Sequence, residues 1–104
     1  MARYKIDITE PAEDDLRDII RYISAQLEAP ITAENILDAI VSAVEGLSYM
    51  PGNKPLVSDE RLASLGYRKL IVKNYIIFFT IDEINKVVNI ERILYARRDW
   101  LRIL

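Results

Sequence analysis

The sequence predicts an α+β fold of order β-α-α-β-β-β, a mostly antiparallel sheet with a helical hairpin packed on one face. Three observations predict it. Apolar residues recur at helical spacing from Leu16 to Leu27 and again from Ala33 to Leu47. From Tyr67 to Tyr95 the pattern becomes that of strands, interrupted only by two short polar turns. The helical patterns also come together, and so do the strand patterns, whereas a parallel sheet would alternate them.

Taken in order, Arg3–Ile8 alternates, with Tyr4, Ile6 and Ile8 on one face, and reads as a first strand. Thr9 is placed to cap a helix and Pro11 suits its first turn. Glu10, Glu13, Asp14 and Asp15 complement the positive end of its dipole. Leu16, Ile19, Ile20, Ile23 and Leu27 form the apolar stripe. Ala29-Pro30 is expected to break this helix, since Pro disfavours the helical state of the preceding residue. Thr32 is expected to open a second helix, with Ala33, Ile36, Leu37, Ile40, Val44 and Leu47 as its stripe. Two such helices joined by a tight break make an antiparallel hairpin.

Tyr49–Asn53 ends the hairpin, and Lys54–Ser64 reads as an irregular loop. Tyr67–Val72 is the next strand. Lys73-Asn74 suits a two-residue turn in which Asn tolerates positive φ. Tyr75–Ile81 is nearly all apolar, as a central strand covered on both faces would be. After the turn Asp82–Asn85, Val87–Tyr95 forms the last strand, buried on at least one face. Asp99–Leu104 is expected to close the chain as a helical turn that packs Trp100, Leu101 and Leu104.

The 104 residues are expected to form one domain, 1–104, since that length supports a single core. Hydrophobic residues make up 51% of the chain, which argues against disorder. No apolar run approaches the ~18 residues needed to cross a bilayer, and no apolar signal region opens the chain, so a cytoplasmic location is expected. Cys and His are both absent, which excludes disulfides, Cys/His zinc sites and histidine acid–base catalysis. There is no P-loop, glycine-rich dinucleotide turn or metal-ligand spacing, so neither cofactor nor metal is expected. The paired carboxylates sit at helix starts or in turns, where capping explains them, and no Ser or Thr has a base beside it.

Net charge is only −2, but its distribution is uneven. Residues 1–60 carry five Lys/Arg against twelve Asp/Glu, and residues 61–104 carry nine against four. One cationic face follows, with the acidic half solvated or offered to a basic partner. The cations concentrate with aromatics in a set comprising Arg68, Lys69, Lys73, Arg92, Tyr95, Arg97, Arg98 and Trp100. Arginine clamps phosphate through paired hydrogen bonds and aromatic faces stack on unpaired bases. The competing reading is equally open: Tyr95 and Trp100 fill a second small core while the arginines pair with Asp99, Glu91 or a partner's carboxylates.

Three stretches resemble the RelE/ParE superfamily of toxins from bacterial type II toxin–antitoxin modules, over essentially the whole chain. Pro11–Ile23 is similar to the family's first helix, Lys69–Asp82 to its two central strands with their Asn-Tyr turn, and Arg92–Trp100 to its closing signature. The resemblance implies one of two activities: RelE-like cleavage of mRNA on the ribosome, or ParE-like poisoning of DNA gyrase without bond breaking. If the chain is a nuclease, Arg68, Arg97 and Tyr95 are the implied catalytic residues. Otherwise Arg68, Lys69, Arg92, Tyr95, Arg97, Arg98 and Trp100 are implied to contact the target or the antitoxin. The nuclease pattern is incomplete: Ile76 stands where nucleases carry an arginine, and no clear counterpart of the C-terminal tyrosine is present. An acidic chain is also a poor starting point for approaching dense phosphate. The ParE branch is therefore favoured. The implied partner is an antitoxin whose C-terminal segment wraps the toxin, with an apolar helix against the hairpin or sheet and a strand added to an edge.

Overall fold

The computed structural model describes residues 3–104. Its elements follow the expected order, with the closing helical turn present and one short α-helix, α3, added: β1 (Lys5–Ile8), α1 (Glu10–Arg21), α2 (Pro30–Gly46), α3 (Glu60–Ser64), β2 (Arg68–Val72), β3 (Tyr75–Asp82), β4 (Val87–Tyr95) and α4 (Trp100–Ile103). The strands lie in the order β1-β4-β3-β2, with β1 parallel to β4 and the other neighbours antiparallel. The apolar run of β4 thus lies inside the sheet.

Side chains alternate across a strand, so the two inner strands supply two cores. Ile77, Phe79, Val88, Ile90 and Ile93 meet Ala12, Ile40, Val44 and Leu47 of the helical hairpin. On the other face Ile76, Phe78 and Leu94 pack with Val57 and Leu62, and Tyr67, Trp100, Ile103 and Leu104 close over them. The Trp100 ring lies on Phe78 with centroids 5.1 Å apart.

β1 is five residues shorter than β4 and ends at Ile8, opposite Ile90. Beyond that point α1 takes over the open edge of β4. Thr9 donates its amide to the Ile90 carbonyl at 3.1 Å and its hydroxyl to the Glu91 carbonyl at 3.1 Å. The same hydroxyl oxygen accepts the Ala12 amide, capping α1 as expected. One turn further on, Asp15 Oδ2 accepts the Ile93 amide at 3.0 Å. Arg92 closes the joint with two hydrogen bonds, 2.6 and 2.7 Å, to the two oxygens of Asp15. These bonds hold the guanidinium protonated even more firmly than usual. The register shift between Phe78 and Phe79 leaves Glu91 as the extra residue of a β-bulge, its carboxylate held by the Thr80 hydroxyl at 2.9 Å.

The structure corrects several local expectations. α2 starts at Pro30 and not at Thr32, because Pro at the first helical position loses no hydrogen bond. Ala29, at φ −127°, absorbs the restriction Pro places on its predecessor. The first helix does not carry its stripe to Leu27: residues Tyr22–Gln26 form a π-helical turn, and Leu27 emerges exposed. Lys54–Ser64 is not wholly irregular, since Asp59 accepts the Leu62 amide at 3.0 Å and starts α3, which drives Leu62 into the second core. Positive φ in the β2–β3 turn falls on Lys73 (55°) and not on Asn74. Leu101 stays exposed, and Ile103 joins Trp100 and Leu104 in packing.

The Asp15 side chain is 10% exposed and that of Arg92 25%. Asp15→Ala strands a part-buried guanidinium and a strand amide, and is expected to cost about 3 kcal/mol in chemical denaturation. Asp15→Asn keeps an acceptor for Ile93 and should lose less; equal losses would mean the amide bond contributes nothing. Trp100→Ala uncovers Phe78, and since the indole is only partly buried the expected cost is about 2 kcal/mol, read as a lowered midpoint of thermal unfolding.

Candidate functional site

One end of the sheet gathers three free cations. The β2–β3 turn and the turn after β4 run side by side, joined by the Ala96 amide donating to the Asn74 carbonyl at 2.8 Å. The Arg98 amide folds back onto the Tyr95 carbonyl at 3.0 Å. Lys73, Arg97 and Arg98 therefore share this end, all exposed. No ion pair among the described residues engages them or Lys69.

Beside these cations Tyr75 and Tyr95 are cross-strand partners whose rings meet edge to face, 5.8 Å apart at 65°. Tyr75 keeps its proton above the ordinary phenol range, chiefly through burial and then through the nearby Tyr95 and Tyr22. Tyr22 lies across from them on the helical hairpin. Between the two walls runs a groove of about 680 Å³, with Tyr22, Ile23, Leu27 and Ile36 on the hairpin side and Asn74, Tyr75, Tyr95 and Arg98 on the sheet side. Asp18 is the one carboxylate in its lining.

The rest of the cationic–aromatic set lies elsewhere. Arg68 donates to the carbonyls of Lys54 (2.6 Å) and Gly52 (3.4 Å) and so straps the 54–57 segment along β2. Lys69 and Val57 add backbone bonds to Pro55 and Tyr67 in the same strap. Arg92 is engaged by Asp15, and Trp100 by Phe78. Asp99 pairs with Arg102 at 3.2 Å. Lys69 is paired with Phe78 across β2 and β3, away from the cationic end. Of the eight residues singled out, Lys73, Tyr95, Arg97 and Arg98 are brought together and the others are not. Sequence reasoning missed Tyr22, Tyr75 and Leu27 as groove residues. Tyr22 follows Ile19 by three positions, which places it beside the stripe, but nothing in the sequence marks the π-turn.

A second groove lies on the other side of α1, about 610 Å³, between β1 and the hairpin. Ile8, Leu16, Ile20 and Leu37 form its floor, with Glu13, Arg17 and Arg21 among its polar lining. A smaller hollow of about 260 Å³ extends it through Ile6, Ile8, Leu16 and Val41. β1 is an edge strand, so its outer backbone groups border this apolar channel.

Residues 6–100 match the family described as ParE toxin of type II toxin-antitoxin system, parDE. No curated protein matches the sequence significantly. Among solved structures, the chromosomal ParDE toxin–antitoxin system from P. aeruginosa superposes with a TM-score of 0.75 at 21% identity, covering 93% of this chain and 100% of that one. A chain of the RelBE2 toxin–antitoxin complex from Mycobacterium tuberculosis gives 0.62 at 19% identity, covering 89% and 98%. The isolated E. coli RelE toxin gives 0.54 at 17% identity, covering 97% and 99%. At these identities the likeness is one of fold. The family match spans nearly all of β1 through the first residue of α4, and on that ground the chain belongs to the ParE toxin family of type II toxin–antitoxin systems.

Proposed function

We propose that this toxin arrests growth in the cytoplasm by binding and poisoning DNA gyrase, without cleaving RNA, until an antitoxin covers it. The observation that carries this reading is the fate of the cationic set. Arg68, which the RelE/ParE resemblance makes a candidate for phosphate chemistry, spends its guanidinium on the carbonyls of its own strap. The centre of the sheet face opposite the hairpin is an apolar core, Ile76, Phe78 and Leu94 sealed under Trp100, Ile103 and Leu104, with Lys69 and Arg92 on either side of Phe78. Cleavage of RNA needs a group to take the 2′-hydroxyl proton and another to protonate the leaving oxygen. Tyr67 and Tyr75 both hold their protons above the ordinary phenol range, burial being the largest cause, so neither serves as a base at neutral pH. The free cations are left at an exposed end, where they suit charge-complementary contact with a protein.

The channel along β1 suits the antitoxin. An apolar helix fits a floor of Ile8, Leu16, Ile20 and Leu37, and an extended segment extends the sheet at the β1 edge. The P. aeruginosa and M. tuberculosis relatives are described as toxin–antitoxin assemblies, which supports such a partner.

Brief expression should stop growth without producing new 5′ ends in ribosome-associated mRNA, and purified toxin should block supercoiling by gyrase. Discrete mRNA cuts that vanish in Arg97→Ala would overturn this in favour of a RelE-like endoribonuclease. For the antitoxin, Ile8→Asp and Val41→Asp, at exposed apolar positions of the channel, are each expected to weaken binding roughly tenfold or more, measured by calorimetry. Unchanged affinity in both would move the antitoxin off the β1 channel.

A further inference from the structure

We infer that the tyrosine-lined groove at the cationic end is the surface that engages the target protein, and that its occupant is a loop presenting one aliphatic or aromatic side chain flanked by carboxylates. The inference rests on the reading that the toxin acts by binding a protein, and it adds the site and the chemistry of the docking segment.

The groove is separate from the channel along β1. The two lie on opposite sides of α1, and no residue lines both. An antitoxin segment seated along β1 therefore leaves this groove's walls untouched.

The groove is also opened by an unusual backbone. In a continuous α-helix Leu27 would extend the buried stripe that ends at Ile23. Instead the Leu27 amide donates to the Tyr22 carbonyl at 3.1 Å, five residues back, and the Ala29 amide to the Ile23 carbonyl at 3.1 Å. Glu28 then takes a left-handed φ of 50°. π-turns and non-glycine left-handed residues are disfavoured locally and cluster where function requires them. Here the result is that Tyr22 and Leu27 stand 51% and 55% exposed at the groove. Large apolar side chains held out in this way on the rim of a cavity suit a partner's anchor residue.

Charge selects the occupant. Arg98 lines the sheet wall, and Lys73 and Arg97 stand in the two turns that meet beside it, none with a carboxylate partner among the described residues. Carboxylates flanking an apolar anchor satisfy these cations. Asp18 on the helix wall is left to accept a backbone amide of the docked segment. A nucleic-acid strand fits less well. Tyr75 and Tyr95 meet edge to face, so they present no parallel stacking platform. Apart from Tyr22 the apolar residues of the hairpin wall are aliphatic, and Asp18 repels phosphate.

The test uses the full chain with Leu27→Ser, Tyr95→Ala and Arg98→Glu, checked for unchanged thermal unfolding. Each is scored for growth arrest on induction and for affinity towards the cognate antitoxin. Loss of arrest by roughly tenfold or more in surviving colonies, with antitoxin affinity within about twofold of wild type and partial recovery in Arg98→Lys, is the expected result. Arrest as strong as wild type in all three overturns the inference. So does a parallel loss of antitoxin affinity, which would assign the groove to the antitoxin. Binding of single-stranded oligouridine by wild type that is lost in Arg98→Glu would assign it to nucleic acid. Gyrase supercoiling, assayed with the same proteins, judges the other proposal independently. A wild type inert on gyrase sinks the gyrase reading while arrest still decides the groove. Variants that arrest growth normally sink the groove, whatever gyrase does.

Discussion

A central strand longer than its outer neighbour leaves amides and carbonyls without a ladder, and the structure depends on how that deficit is met. β1 covers β4 only as far as Ile90. The five remaining residues of β4 would present bare backbone to the core side of α1, where an unpaired amide is costly. Thr9 and Asp15 supply the missing partners from the first two turns of α1, and Arg92 locks Asp15 in place from the strand itself. Because both anchors are side chains of one helix bonded to one strand edge, the helix axis is fixed against the sheet. The two grooves that flank α1 inherit their positions from that joint.

The same joint explains the uneven use of charge. A buried carboxylate must be paired, and the Arg92 partner is drawn from the basic half of the chain. Arg68 is likewise withdrawn, by carbonyls of the 54–57 strap. Lys73, Arg97 and Arg98 stay free together in the turns at one end of the sheet, while the hairpin keeps Glu10, Glu13, Asp14, Glu34 and Asp38 exposed. A net charge of −2 therefore hides two opposed surfaces, which steer an approaching partner by orientation more than by overall attraction.

The element order was legible because it rests on periodicity, which survives small local errors. The stripe of α2, that of α1 as far as Ile23, the capping role of Thr9 and the apolar central strand appear where the pattern placed them. The site was legible only in part. The bulge at Glu91 puts Arg92 opposite Phe78, on the face away from the hairpin, from which it reaches past the open edge of β4 to Asp15, and a single extra residue of this kind leaves no mark in a hydrophobic pattern. The π-turn is equally silent: Leu27 fits the α-helical stripe, and only the backbone shows that it left it. Pro30 does both things at once: it bars the helical state at Ala29 and so separates the helices, and it opens the second helix, a role the hydrophobic pattern does not show. α3 needed only Asp59 as a cap and Leu62 as an anchor, too short a pattern to stand out from a loop.

Fold and activity part company on the sheet face away from the hairpin. A sheet curled against one helical layer leaves its second face to be used or closed. Here Ile76, Phe78 and Leu94 fill it, and α3, Tyr67 and α4 cover it, so apolar burial and substrate access compete for the same surface and burial wins. With that face sealed by Trp100 on Phe78, exposed aromatic and cationic side chains gather at the rim of the sheet. A rim of tyrosines and unpaired arginines is poorly suited to holding a scissile phosphate in line, which demands enclosure and fixed donors. It is well suited to gripping a protruding side chain between rigid aromatic walls, where a few desolvated contacts supply most of the affinity.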